Sequence, residues 1–366
     1  MAAEPLDALL PAARVSRIRW RAWCAPLKRA WHSAAGSLNA RRGLSIRIET
    51  DTGLVGEGEC APLPAAGTET LAAARAALPG LLAGCRGQAL QRLAARLVGA
   101  GATPALRCGL EAALLELAAR ARGRPLFRLL APGATGMVAV NAALGALDAD
   151  IGARLEAALA AGFRVLKIKL GVHPLEDELC RLRVLAGRLP AGVRLRLDAN
   201  RAWTVEAAGA ALRALAELPV ESLEEPVAAD DNVLRRLQSQ AAFPLALDES
   251  LAGRDAGALL AAPPVRRLVL KPMVMGGLLP AWRLAQEARA AGLETVVTST
   301  LEAATGLQAA LQLAAALDDG RAHGLATGAW LRDTDGVPLP RDGRLDAGAG
   351  PVDAALPPGA AGWVEA

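Results

Sequence analysis

In the second half of this chain, short apolar runs alternate with amphipathic stretches, and run after run ends in a charged or hydroxyl side chain. Lys169, Asp198, Glu224, Asp248, Lys271 and Ser299 follow one another at intervals of roughly 23 to 29 residues, about the length of one strand-plus-helix unit. The runs cover 138–144, 165–170, 193–198, 220–225, 245–248, 268–271 and 295–300. Such repetition predicts a parallel sheet, either closed into a barrel or left open and doubly wound. A barrel gathers the C-terminal ends of its strands at one mouth, whereas an open sheet spreads them along a wide edge. Polar ends on successive strands favour the barrel.

Before residue 136 the texture differs. Runs 15–25 and 44–50 read as strands around a Gly/Ser/Arg-containing loop at 33–43, and a turn at Asp51-Thr52-Gly53 leads into a third run, 54–60. Helical patterns follow over 68–98 and 104–122; in the latter, Leu106, Leu110, Ala113, Leu114 and Leu117 share one face. The expected organisation is an α+β capping domain over 1–130 and a (β/α) barrel over 131–330. A Gly-, Pro- and Asp-rich tail, 331–366, is expected to pack back on the cap.

A length of 366 residues accommodates one barrel and a smaller companion. No apolar run reaches the roughly 18 residues of a membrane span, and the N-terminus lacks the basic start and apolar core of a secretory signal. A soluble, cytoplasmic protein is expected. The net charge is +4, but the arginines alternate with Ala and Leu along helices and aromatics make up only 3%. They read as solvated faces rather than a nucleic-acid surface. Five scattered cysteines without a CxxC pair, and only three histidines, argue against disulfides and zinc. A metal here would be held by oxygen, which selects hard cations such as Mg²⁺.

The strand ends carry the chemistry. Lys167 and Lys169 alternate with Leu166, Ile168 and Leu170, so both lysines face one way. If the apolar set packs on helices, the lysines point into the barrel, where lost hydration and cationic neighbours lower an amine's pKa. Asp198, Glu224 and Asp248 close three separate strands. Any one of them could be a helix cap, but three together would repel strongly without a cation. Lys271 closes a strand expected across the barrel from Lys167 and Lys169. Two amines on opposite sides of a metal-held carboxylate suit proton transfer at the α carbon.

These residues, as Lys167-x-Lys169, Asp198-x-Asn200, Glu224-Glu225-Pro226, Asp248-Glu249-Ser250 and Lys271-Pro272, resemble in order and spacing the muconate-lactonizing branch of the enolase superfamily. The stretches 196–203, 56–64 and 299–302 look especially like the o-succinylbenzoate synthase family within it. The resemblance spans nearly the whole chain and implies a modified TIM barrel of enolase type under an N-terminal cap. It implies Mg²⁺, with Mn²⁺ as a substitute, on Asp198, Glu224 and Asp248. Lys169 would be the base, Lys167 would lower its pKa and touch the substrate carboxylate, and Lys271 would stabilise the enediolate opposite. Asn200, Glu249, Arg196, Ser299 and Thr300 would support these groups or line the pocket. The segment 31–43 and the turn 60–64 would form a lid. The implied reaction is a dehydration on the menaquinone pathway of a small-molecule carboxylate, a succinyl-hydroxycyclohexadiene acid. Oligomeric state is left open.

Dipeptide epimerases of this branch hold the substrate ammonium with an Asp-x-Asp after the eighth strand. The corresponding stretch here, Gly324-Leu325-Ala326-Thr327-Gly328, carries no acid, and Asp333-x-Asp335 lies several residues further on. Dehydration is therefore preferred over dipeptide epimerisation, N-acylamino acid racemisation or muconate-type cycloisomerisation, which the same lysines would also serve. A Schiff-base barrel enzyme or a silent binding protein would not need all the lysines and carboxylates together.

Overall fold

The computed structural model describes residues 5–33, 36–99, 102–317, 319–332, 336–348 and 362–365. After a single turn, α1 (Leu6–Leu9), three strands run antiparallel: β1 (Val15–Ser33), β2 (Gly36–Thr50) and β3 (Val55–Cys60). Helices α2 (Leu71–Leu82), α3 (Leu90–Leu97), α4 (Pro104–Ala121) and α5 (Leu126–Leu130) follow. Proline suits the first turn of α4 because its missing N–H has no partner there anyway. The free amides of Ala105 and Leu106 donate instead to the Glu69 carboxylate, at 3.0 and 2.9 Å. Leu106, Leu110, Leu114 and Leu117 of α4 are fully buried, each contributing roughly 1.5–3 kcal/mol. The closest approach lies at Gly58 and Gly109. A Cβ on Gly58 would stand 1.8 Å from the Gly109 carbonyl oxygen, so β3 and α4 touch backbone to backbone.

One expectation for the cap is corrected. Most of 33–43 is strand rather than loop: β1 and β2 form a long hairpin paired from Val15 and Thr50 to Ser33 and Gly36, with a register shift between Pro26 and Trp31. Residues 34 and 35 of that stretch lie outside the described residues. Gly43, which reads as a strand breaker, sits opposite Trp23, and a Cβ there would lie 2.5 Å from the indole. The glycine makes room for a tryptophan inside a strand.

The barrel begins after β4 (Met137–Ala139). Parallel strands β5 (Ala142–Ala146), β6 (Val165–Lys169), β7 (Arg194–Asp198), β8 (Val220–Glu224), β9 (Leu245–Leu247), β10 (Arg267–Leu270) and β11 (Glu294–Val297) stand side by side in chain order. Between them run α6 (Ile151–Ala160), α7 (Leu175–Ala186), α8 (Val205–Leu215), α9 (Asp231–Gln240), α10 (Ala256–Ala261), α11 (Pro272–Met275) and α12 (Leu278–Ala290), and α13 (Ala304–Leu317) follows β11. Closure falls to an eighth strand reduced to two residues. His323 bridges Val140, Gly324 bridges Thr298, and both bridges are parallel. Inside the ring, Ala246, Val269 and Val296 form a small apolar cluster separate from the main core.

Beyond the barrel, β12 (Arg344–Asp346) pairs with β4, and β13 (Val364–Glu365) adds an edge strand beside β1. Trp363, just before β13, lies under the Arg21 guanidinium at 4.2 Å. Among the described residues, no helix is long and apolar enough to cross a membrane.

Two cap carboxylates dock on barrel helices. Glu59 accepts from the amides of Ala303 and Gly306 at the start of α13, at 2.8 and 3.0 Å. Glu111 accepts from the Leu279 amide at the start of α12, at 2.8 Å. Burial pushes each carboxyl up to about 7, against the pull of those amides. Between the ordinary 4.5 and about 7 the folded protein keeps a proton that the unfolded chain has lost. The contribution of such a group to stability therefore falls as pH rises through that window. The stability advantage of wild type over Glu111→Gln should shrink from pH 5 to pH 7 by up to about 1 kcal/mol per pH unit, read from urea midpoints. A gap that stays flat would mean that Glu111 titrates normally.

Candidate active site

Strand alternation aims the site. Leu166, Ile168 and Leu170 are buried on the helix side of β6, which turns Lys167 and Lys169 inward. In register, Lys169 pairs with Asp198, and Asp198 with Glu224. Asp248 and Lys271 directly follow β9 and β10. Each functional side chain thus stands at the C-terminal rim of its own strand, where a barrel builds its sites.

There the three carboxylates converge. One oxygen each from Asp198, Glu224 and Asp248 lies within 4.8 Å of the others, and all three residues are buried. Lys167 Nζ donates to Glu224 and stands 3.0 Å from Asp198 Oδ2. Across the barrel, Lys271 Nζ lies 2.7 and 2.8 Å from the two oxygens of Asp248.

Burial and like charge push Glu224 up to about 7, against the attraction of Lys167. Burial works against the charge on Lys167 and Lys271. For Lys167 the attraction of Asp198, Glu224 and Asp248 outweighs it, and for Lys271 that of Asp248 and Glu249, so both lie above the ordinary amine value. Lys169 goes the other way. Half-buried, it is lowered first by burial and further by Lys167, against Asp198 and Glu249.

Three buried hard oxygens within one span match the donor set of a divalent cation such as Mg²⁺. The orphaned atoms agree: Asn200 Oδ1 and Glu249 Oε2 are buried and accept no hydrogen bond. The arrangement could hold a metal ion.

The remaining expected residues divide. Asn200 donates to Glu249 Oε1 at 2.9 Å, which ties the end of β7 to the end of β9. It adopts φ +44°, in the left-handed region that Asn tolerates. Glu224, not Glu225, enters the carboxylate cluster. Glu225 turns away at φ +45° and accepts from Asp248 N, Ser250 N and Ser250 Oγ at 2.7–2.8 Å.

Of the two places expected for Arg196, behind the rim residues or lining the pocket, it occupies the first. It is 1% exposed, lies one inward position below Asp198, and donates to Glu221, Asn141 and the Ala322 carbonyl. It bears on the rim only through its charge, which helps keep Glu224 ionised. Thr300 is turned to Glu302, which accepts from its amide at 2.8 Å and from its hydroxyl. Ser299 remains at the rim, its hydroxyl 2.5 Å from that of Thr327.

Sequence reasoning missed the layer beneath and the clamp above. Beneath, Glu221 is shared by Arg196 and Arg267, and Arg267 also reaches Glu294. His323 sits there as a neutral ring, lowered to about 4 by burial, and accepts the Val297 N–H at 2.9 Å. An arginine or glutamate in the interior of an apolar run was the available signal, at Arg194-Leu195-Arg196 and at Val220-Glu221.

Above, Arg41 is 2% exposed and donates to the carbonyls of Ala61, Pro62 and Leu301, binding the expected lid turn to the barrel rim. The hairpin also reaches the rim. Pro26 accepts the Arg332 amide, and Trp31 packs edge-on to Trp330 with ring centres 4.7 Å apart. Asp333 and Asp335 lie outside the described residues.

Comparison with known proteins follows the same two-part division. Residues 18–131 match the mandelate racemase / muconate lactonizing enzyme N-terminal domain, and residues 150–351 the enolase C-terminal domain-like family. An L-Lys-D/L-Arg epimerase of Methylococcus capsulatus is 33% identical over 83% of this chain and 87% of its own. An o-succinylbenzoate synthase of Pectobacterium atrosepticum is 32% identical over 79% and 83%. Among solved structures, the substrate-liganded L-Ala-D/L-Glu epimerase of Bacillus subtilis superposes with a TM-score of 0.84 at 25% identity, covering 94% of this chain and all of that one. The dipeptide epimerase of Enterococcus faecalis complexed with Mg and L-Leu-L-Tyr gives 0.81 at 27%, covering 91% and 97%. With both domains matched in order, and with the cap, the closed barrel and the carboxylate trio in place, this chain belongs to the enolase superfamily.

Proposed function

We propose that the protein removes the proton α to a substrate carboxylate and expels a β-hydroxyl group, acting as an o-succinylbenzoate synthase. The observation that carries this reading is a ring of opposed charges. Lysines on β6 and after β10 face each other across three buried carboxylates, while the rim of the eighth strand, Gly324 to Leu331, carries no acid for a substrate ammonium.

A Mg²⁺ held by Asp198, Glu224 and Asp248 would supply Lewis-acid charge to the substrate carboxylate. Lys169, whose amine is lowered by burial, takes the α proton. Lys167 stays cationic beside Asp198 and Glu224 and keeps a positive charge next to the base. Lys271 faces the charge that develops on the far side of the carboxylate. The C–O bond to the β carbon then breaks, and the leaving hydroxide collects the proton from Lys169 and departs as water. The ring becomes aromatic, which makes the elimination easy for a simple site.

A second reading, epimerisation of a dipeptide, is supported by the 33% identity to the L-Lys-D/L-Arg epimerase. The panel that separates them is the Mg²⁺-loaded protein with the cyclohexadiene acid, followed by loss of its absorbance, beside dipeptides and N-acylamino acids. Turnover of dipeptides alone would overturn the dehydratase reading. EDTA is expected to abolish activity and added Mg²⁺ to restore it. Borohydride with a ketone substrate is expected to trap nothing; covalent labelling of Lys169 or Lys271 would point to a Schiff base instead.

A further inference from the structure

Ser299 follows the seventh barrel strand by two residues, and Thr327 lies in a short 3-10 turn, Ala326–Trp330, just after the eighth. The seventh strand stands beside the strand that leads to Lys271. The seventh and eighth strands are drawn close. The Gly324 carbonyl accepts from Ser299 N at 3.2 Å and from Thr298 Oγ1 at 3.0 Å. A Cβ on Gly324 would come within 2.1 Å of that same hydroxyl. The hydroxyl oxygens of Ser299 and Thr327 are thereby held 2.5 Å apart.

The direction of their hydrogen bond follows from the surroundings. Ser299 is 8% exposed, and its Oγ already accepts the Leu301 amide at 3.3 Å. Among the described residues, Thr327 Oγ1 is the one acceptor within reach of the Ser299 proton. A buried hydroxyl proton without an acceptor is costly, so Ser299 donates and Thr327 accepts. Thr327 is only half-buried, and its own proton is then left to donate to an acceptor outside the pair.

We propose that Thr327, oriented by Ser299, is a specificity-determining residue that donates a hydrogen bond to an uncharged substrate oxygen, a ketone or amide carbonyl. An ammonium group brought to this place meets a donor hydroxyl and no anion from Gly324 to Leu331, and loses its hydration without replacement. The inference rests on the proposed function for its substrate: the acceptor is the ketone of the succinyl side chain.

Thr327→Val keeps the side-chain shape and removes the hydroxyl. It is expected to raise KM for the cyclohexadiene acid about tenfold with kcat changed less than about threefold. Thr327→Ser is expected to behave as wild type. Calorimetry on the Mg²⁺-loaded protein reads the same contact without turnover. There the valine variant should weaken binding of o-succinylbenzoate about tenfold and leave binding of benzoate, which lacks the ketone, unchanged.

If wild type turns over N-acylamino acids and not the diene, the proposed function fails. The inference then stands or falls on whether Thr327→Val raises KM for the amide substrate. A valine variant with wild-type KM and wild-type o-succinylbenzoate affinity would overturn it. So would a loss confined to kcat and melting temperature, which marks a purely structural hydroxyl.

Discussion

Replacing Lys169 with alanine is expected to lower kcat by about 10³-fold or more, while Mg²⁺ affinity and melting temperature stay near wild type. The lysine is half-buried at the end of β6 and is not one of the three converging carboxylates, so its replacement keeps the donor set of Asp198, Glu224 and Asp248 in the chain. Burial and Lys167 lower its amine, whereas the carboxylates raise Lys167 and Lys271. Of the three amines, Lys169 is the one shifted toward its neutral form. Arginine should not rescue, since a guanidinium does not release its proton in proteins. The measurement is steady-state turnover of the cyclohexadiene acid beside a Mg²⁺ titration. A variant keeping more than about a tenth of the wild-type rate would remove Lys169 from the role of base.

The second large effect lies beneath the rim and concerns stability. Glu221 neutralises two buried guanidinium groups: Arg196 at 2.9 and 3.1 Å and Arg267 at 2.7 Å. Their side chains are only 2% and 4% exposed. Glu221→Gln keeps the shape and removes the charge, leaving Arg196 without its carboxylate and Arg267 with Glu294 alone. A destabilisation of about 3–5 kcal/mol is expected from denaturant midpoints.

The pH dependence identifies the mechanism. Burial works to raise Glu221, but Arg196 and Arg267 overcome it and hold the carboxyl at about 2, below the ordinary 4.5. Its contribution is therefore complete above pH 4.5 and is lost as pH falls toward 2. The gap between wild type and variant should be constant from pH 5 to 8 and close below 4.5. A loss under about 1 kcal/mol would place the pair among weak surface contacts.

The two effects differ in how they could be foreseen. Lys169, Asp198, Glu224, Asp248 and Lys271 were legible because each ends an apolar run and the runs recur at the spacing of a strand and helix. Arg196 and Glu221 were not legible in the same way. Both lie within strands at interior-facing positions, and their meeting depends on the register that sets Arg196 against Ser222 across β7 and β8. Because it shares a face with Asp198, Arg196 is expected either to support the rim residues or to line the pocket, and the sequence does not choose between them. The face is right, but two residues along a strand amount to about 6–7 Å, enough to move it from the mouth to the layer below.

The cap teaches a similar lesson. Gly43 and its Ser/Arg neighbours have loop composition, but they form strand because β1 lies opposite and Trp23 fills the space above the glycine. Thr327 escaped notice because a lone threonine in a Gly/Ala-rich stretch has no pattern. Only closure of the barrel brings it to Ser299, nearly thirty residues earlier in the chain.

By itself, the order of residues determined the alternation of strand and helix, the side of β6 on which the lysines stand, and the succession of acids along the rim. These are local properties, since a strand exposes alternate residues to opposite faces whatever it packs against. Tertiary structure alone decided which groups share a charge, as Lys167 with Asp198 and Glu224, or Glu221 with two arginines. It also decided how the cap's Arg41 and Glu59 grip the rim and α13. Electrostatic and hydrogen-bond energies depend on distance and burial, and neither exists until strands far apart in the chain close into one ring.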